Sequence, residues 1–117
     1  MVDLIVNKRT REQFALKTMN LTYLSEKDKK SAEWEVEFLR VITGPTIIKF
    51  HDSFKENQDI YIVMEYAEGG SLAQLIQKHC MTGTPFTEDE VLMYVAQITL
   101  SLLALHSKTI LHRDIKT

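Results

Sequence analysis

The chain has 117 residues, 44% of them hydrophobic and 26% charged, the balance of an ordinary globular domain. Fourteen basic residues against sixteen acidic ones leave a net charge of −2, which gives no electrostatic case for nucleic acid or an anionic membrane as partner. The only cysteine, Cys80, excludes an internal disulfide and a multi-cysteine metal site, and is expected to be a small buried or half-buried thiol.

Val2–Val6 and Gln13–Lys17 read as short strands, joined through the polar turn Asn7–Glu12 into an antiparallel hairpin. Ser25-Glu26-Lys27-Asp28 is a helix start of the capping-box kind, with Asp standing where Glu or Gln is usual. Ala32, Val36 and Leu39 follow at helical spacing, Trp34 and Phe38 add apolar bulk on a neighbouring face, and Gly44-Pro45 stops the helix at or before Thr43. Ile47–Phe50 and Ile60–Met64 are the next two predicted strands, with Lys55–Gln58 as the loop between them. The second is so continuously apolar that burial on both faces is expected. Gly69-Gly70 marks the sharpest change of composition, and a lobe boundary is placed there.

Ser71 opens a short helix carrying Leu72, Leu75, Ile76 and His79 on one face. After the turn Thr84-Pro85-Phe86, a full capping box at Thr87–Glu90 starts a helix of about five turns, with Val91, Val95, Ile98, Leu102 and Leu105 as its apolar stripe. Gln97, Thr99 and Ser101 interrupt that run, so it reads as a core helix and not as a membrane span. Ser107–Thr109 then turns the chain into a short buried strand, from Ile110, that delivers Asp114 and Lys116 to a loop. Met1-Val2-Asp3 lacks the charged start and apolar core of a signal peptide, and with a single cysteine a cytoplasmic setting is expected.

Three places carry chemistry. Lys17 ends an apolar strand, where an ammonium costs desolvation unless it meets an anion. Glu35, eighteen residues on, lies on a helix face that can look back at the sheet, and together they could fix a cation for phosphate oxygens. Taken singly each has a plainer reading, a lysine snorkelling at a strand end and one solvated glutamate among several. The third is His112-Arg113-Asp114-Ile115-Lys116-Thr117, where a carboxylate and an ammonium sit two residues apart. Such a pair can orient a hydroxyl and neutralise a transferring phosphoryl group. His51, His79 and His106 show no metal-ligand spacing, and on residue type alone His112 could be a base.

In order and spacing these features resemble the catalytic domain of eukaryotic protein kinases from Val2 to Thr117. Tyr61–Leu72, Pro85–Glu90 and His112–Thr117 are similar to NIMA-related (Nek-type) serine/threonine kinases. The resemblance implies an α+β two-lobe fold. Residues 1–64 would be a small lobe of antiparallel sheet with helix αC, residues 65–70 the hinge, and residues 71–117 the start of a large lobe with helices αD and αE. It implies ATP and a protein substrate as partners, with no nucleic acid and no membrane, and leaves oligomeric state open. Asp114 and Lys116 match the catalytic aspartate and its phosphate-neutralising lysine. Lys17 and Glu35 match the strand lysine and αC glutamate; Val2 and Ala15 the roof over adenine; Met64 the gatekeeper; Glu65 and Ala67 the hinge; and Ser71 a ribose contact. Arg113 matches an arginine that docks a phosphorylated activation loop. Leu39, Phe50 and His112 would stack in a spine, which makes His112 a packing residue and not a base.

Gly44-Pro45-Thr46 departs from the family's common His-Pro-Asn, a tolerable turn variant. The family's Gly-rich loop is expected upstream of Val2, and its loop Asn and Asp-Phe-Gly motif beyond Thr117. The ligands of the Mg²⁺ that accompanies ATP are therefore expected outside these residues. The 117-residue fragment alone is expected to be inactive and to leave the long helix's stripe exposed. The competing reading is a truncated, noncatalytic kinase-like interaction module. Cytoskeletal association in the cytoplasm follows from the family resemblance alone.

Overall fold

The computed structural model describes all 117 residues, as two compact units: Met1–Thr43 with Ile47–Ala67, and Gly44–Thr46 with Glu68–Thr117. In the first, β1 (Val2–Val6), β2 (Gln13–Asn20), β3 (Phe50–Glu56) and β4 (Asp59–Glu65) form an antiparallel sheet in the order β1-β2-β4-β3. One helix, α1 (Glu26–Val41), belongs to this unit. Its first turn is held by Ser25, whose hydroxyl accepts the Asp28 N–H at 3.2 Å, and its last turn is closed by the Ile42 N–H, which donates to the Phe38 carbonyl at 3.2 Å. Ala32 and Val36 of α1 pack with Leu21, Ile60 and Ile62 into the core, and Met19, Leu39, Phe50 and Met64 lie at its margin.

Two expectations change here. The third strand begins at Phe50, not Ile47, and runs through the polar His51–Glu56 to a two-residue turn at Asn57-Gln58. Polar residues are tolerated because β3 is an edge strand, bulged between Phe50 and Asp52, whose ladder to β4 needs no apolar side chains. β4 is not buried on both faces. Ile60 and Ile62 are 5% and 0% exposed beneath α1, while Tyr61 and Val63 are half-buried on the face with no helix in this unit. At the other edge, β1 shows Val2, Leu4 and Val6 to solvent at 62%, 51% and 46%.

The second unit holds α2 (Leu72–Thr82) and α3 (Glu88–His106). Both begin in reciprocal capping boxes, Ser71 with Gln74 and Thr87 with Glu90. Gly83 ends α2 at φ 65°, and the loop is fixed by His79, whose Nδ1 lies 2.7 Å from the Thr84 carbonyl and whose ring stacks on Phe86 at 4.0 Å. Cys80 is exposed rather than buried, because it falls beside the Leu72–His79 face and α2 buries no residue fully. α3 exposes more than one stripe. Leu92, Leu100 and Leu103 are open along with Val91, Val95 and Ile98, and only Leu105 is buried. A helix apolar all round is a core helix, and in these residues it has little to pack against.

The final segment is a correction. Ile110–Thr117 forms no strand, and Leu111 and Ile115 are 65% and 57% exposed. A strand exists only where a neighbour pairs its N–H and C=O groups, and no ladder reaches this segment.

Candidate active site

Lys17 lies inside β2 because the strand runs three residues further than periodicity suggests. Its Nζ donates to Glu35 Oε1 of α1 at 2.6 Å, with the two side chains 34% and 43% exposed. At that exposure the pair adds at most about 1 kcal/mol to stability. What it does provide is an ammonium of fixed position, half open to solvent, which suits phosphate oxygens.

The strand register gathers the neighbouring candidates. Val2 stands opposite Lys17, and Ala15 opposite Met64, so Val2, Ala15, Lys17 and Met64 share the α1-facing side of the sheet. Glu65 ends β4, its N–H donating to the Lys49 carbonyl at 2.9 Å and its carboxylate accepting the Lys49 N–H at 3.1 Å. Ala67 is exposed and its backbone makes no hydrogen bond within the chain, leaving an N–H and a C=O for a planar polar ligand. Leu39 and Phe50 sit at the core margin, with the Arg40 guanidinium 5.8 Å from the Phe50 ring centre.

In the second unit, the Ser71 hydroxyl already accepts the Gln74 N–H at 3.2 Å to cap α2, so a ribose could use only its remaining proton. Asp114 and Lys116 pair at 2.7 Å, 69% and 74% exposed. The hydrogen bond from Lys116, then its charge, holds the Asp114 carboxyl below the ordinary aspartate range. Asp114 N–H donates to His112 Nδ1 at 3.2 Å, which makes that nitrogen an acceptor. Arg113 between them has φ 63°, a left-handed backbone that turns the segment sharply. A cavity of about 200 Å³ is lined by Ile98, Leu102, Leu105, His112, Asp114 and Lys116 among others.

Two contacts are not anticipated from the sequence. Arg40 donates to Ser53 Oγ at 2.8 Å across thirteen residues, and depends on strand register. Ser101 Oγ lies 2.8 Å from both the carbonyl and the hydroxyl oxygen of Thr46; its only trace in the sequence is a polar residue inside an apolar run.

A sheet with a strand lysine held by a helix glutamate, a Gly-marked connection, two capped helices and a terminal His-Arg-Asp define the class of protein. The family model for the protein kinase domain matches residues 1–117, and the chain belongs to that family. Among curated proteins it is similar to the serine/threonine-protein kinases Nek5 and Nek1 of Mus musculus, 40% identical over 116 residues and 36% over 114. It is also 38% identical over 102 residues to Nek8 of Danio rerio. These matches cover 99%, 97% and 87% of this chain but only 18%, 9% and 14% of the respective relatives. The antiparallel sheet and three helices accord with a kinase small lobe followed by the first helices of the large one.

Proposed function

We propose that this chain is the ATP-handling part, up to the catalytic loop, of a serine/threonine protein kinase. The parent protein transfers the γ-phosphoryl group of ATP to Ser or Thr hydroxyls of protein substrates. The Lys17–Glu35 ion pair at 2.6 Å is the observation that carries this reading. Lys17 would bind the α- and β-phosphates, Val2, Ala15 and Met64 would offer adenine an apolar surface, and Glu65 and Ala67 would offer it backbone groups. Asp114 would orient the substrate hydroxyl, and Lys116 would offset charge building on the γ-phosphoryl group. Asp114 would also accept the proton of that hydroxyl. Mg²⁺ would neutralise phosphate charge when bound; no three His, Cys, Asp or Glu residues of this chain lie together as ligands for it, in keeping with ligands expected outside these residues.

The test is labelled-phosphate transfer by the full-length protein to Ser/Thr-containing peptides. Lys17→Met and Asp114→Asn should each abolish it, and transfer that survives Asp114→Asn overturns the assignment. The 117-residue polypeptide made alone should transfer nothing, because Asp114 and Lys116 sit in an exposed, unpaired segment with no fixed relation to a substrate. Incorporation by that polypeptide that vanishes in Asp114→Asn would show the inactivity reading to be wrong. A cytoplasmic location is part of the same proposal, checked by imaging the tagged full-length protein.

One observation favours a second reading, a noncatalytic interaction module: the open apolar residues of α3, with Leu92 56% and Leu103 64% exposed. Full-length protein that lacks transfer activity, yet loses a stable partner on Leu92→Lys with Leu103→Lys, would decide for it.

A further inference from the structure

α1 is thinly seated. It buries only Ala32 and Val36, at 9% and 7% exposure, and an open cavity of about 410 Å³ lies where it meets β3 and β4, lined by Glu33, Val36, Glu37, Arg40, Ser53 and Ile60 among others. Apolar packing therefore leaves its angle on the sheet under-determined, and polar contacts must settle it. Two such contacts fall on the same line. Val2, Lys17, Ile62 and Ser53 stand opposite one another from β1 through β2 and β4 to β3, one transverse row on the α1-facing side. Glu35 binds the Lys17 end of that row at 2.6 Å, and Arg40 binds the Ser53 end at 2.8 Å. Between them Val36 packs in the same core cluster as the fully buried Ile62. Lys17 and Ser53 are two strand spacings apart, roughly 10 Å. Glu35 and Arg40 are five residues apart, about 7.5 Å of helix rise. The helix span and the row are of similar length, and the C-terminal half of α1 is held across the sheet at two points, Glu35 and Arg40.

We infer that Arg40 and Ser53 are positioning residues for the Lys17–Glu35 pair: their hydrogen bond fixes the outer end of α1, and so holds Glu35 within reach of Lys17. The inference rests on the kinase reading only for its consequence on transfer. Arg40 is kept aimed at Ser53 from two other sides, by the Glu37 carboxylate at 3.3 Å and the Phe50 ring face at 5.8 Å. A second tether, Lys55 to Glu33 at 3.4 Å, joins the same helix and strand nearer the α1 N-terminus but is more exposed and longer.

Ser53→Ala removes the acceptor while leaving Arg40 its other contacts, and Ser53→Thr keeps the hydroxyl. In the full-length kinase, Ser53→Ala should lower kcat about two- to tenfold, the equilibrium weight of one net hydrogen bond, with a smaller change in KM for ATP. Ser53→Thr should restore it. Because the effect runs through Glu35, Ser53→Ala should cost nothing further in a Glu35→Gln background. Equal losses in both backgrounds mean a merely structural role and overturn the inference, as does an unchanged kcat. Amide hydrogen exchange in the full-length protein decides independently of activity. Residues Glu35–Val41 should exchange faster in Ser53→Ala than in the unsubstituted chain or Ser53→Thr, and equal rates overturn the clamp. An inactive full-length protein whose exchange follows this pattern refutes the kinase reading and leaves the clamp standing.

Discussion

Lys17 and Ile62 stand opposite each other on adjacent strands and have opposite work to do. Ile62 is wholly buried, and Ile62→Ala should lower stability by about 2–5 kcal/mol through lost burial and the space it leaves, read by thermal or denaturant unfolding. Lys17→Ala should lower it by less than about 1 kcal/mol, since both charges of its pair stay partly in water, while nucleotide binding falls sharply. A Lys17→Ala change as destabilising as Ile62→Ala would mean that the pair is structural. Glu90 shows the same logic in pH. Hydrogen bonds from the Thr87 backbone, then its side chain, hold the Glu90 carboxyl below the ordinary glutamate value of 4.5. Its contribution is therefore complete above about pH 4.5 and is lost as the pH falls through its lower folded value. Glu90→Gln, which keeps an acceptor but cannot titrate, should flatten the acid limb of the melting curve below that pH.

Among the elements, α2 is the least well supported by packing, so its ends matter most. Ser71→Ala should cost about 1 kcal/mol and reduce helicity by circular dichroism, because it opens one half of the capping box. Gly70→Ala acts on the other half. Gly70 has φ 74°, and a Cβ there would press on the Gln74 amide oxygen that accepts the Ser71 N–H. All three helices were legible in the sequence to within a residue or two, because caps and Gly or Pro stops are local. The β1–β2 hairpin was legible for the same reason. β3 was not. His51-Asp52-Ser53-Phe54-Lys55-Glu56 has the composition of a loop, and becomes a strand only because β4 offers an edge. Ile110–Thr117 is the converse, apolar enough for a strand but with nothing to pair with. The Lys17–Glu35 pair could be anticipated from the resemblance to kinases. Arg40 with Ser53 could not, because the bulge after Phe50 sets which β3 side chains face α1.

At the scale of the whole molecule, two surfaces are at odds with an isolated 117-residue polypeptide in water. α3 carries Leu92, Leu100 and Leu103 in the open beside Val91 and Val95. The polypeptide should therefore bind an apolar dye such as ANS strongly, and replacing Leu92 and Leu103 by Lys should reduce the dye signal without loss of helicity. The two outer strands of the sheet differ in kind. β3 sets Asp52, Lys55 and Glu56 along its rim, whereas β1 reads Val-Asp-Leu-Ile-Val with Asp3 as its one charge. Unpaired backbone beside exposed Val2 and Leu4 is a template for another strand of any origin. This rim should add to the association that α3 drives: with Leu92 and Leu103 replaced by Lys, light scattering should rise at a lower protein concentration in Asp3→Val than with Asp3 in place. In the isolated polypeptide the carboxylate at position 3 is then the one charge along β1 set against growth of the sheet, one molecule onto the next, into a fibre.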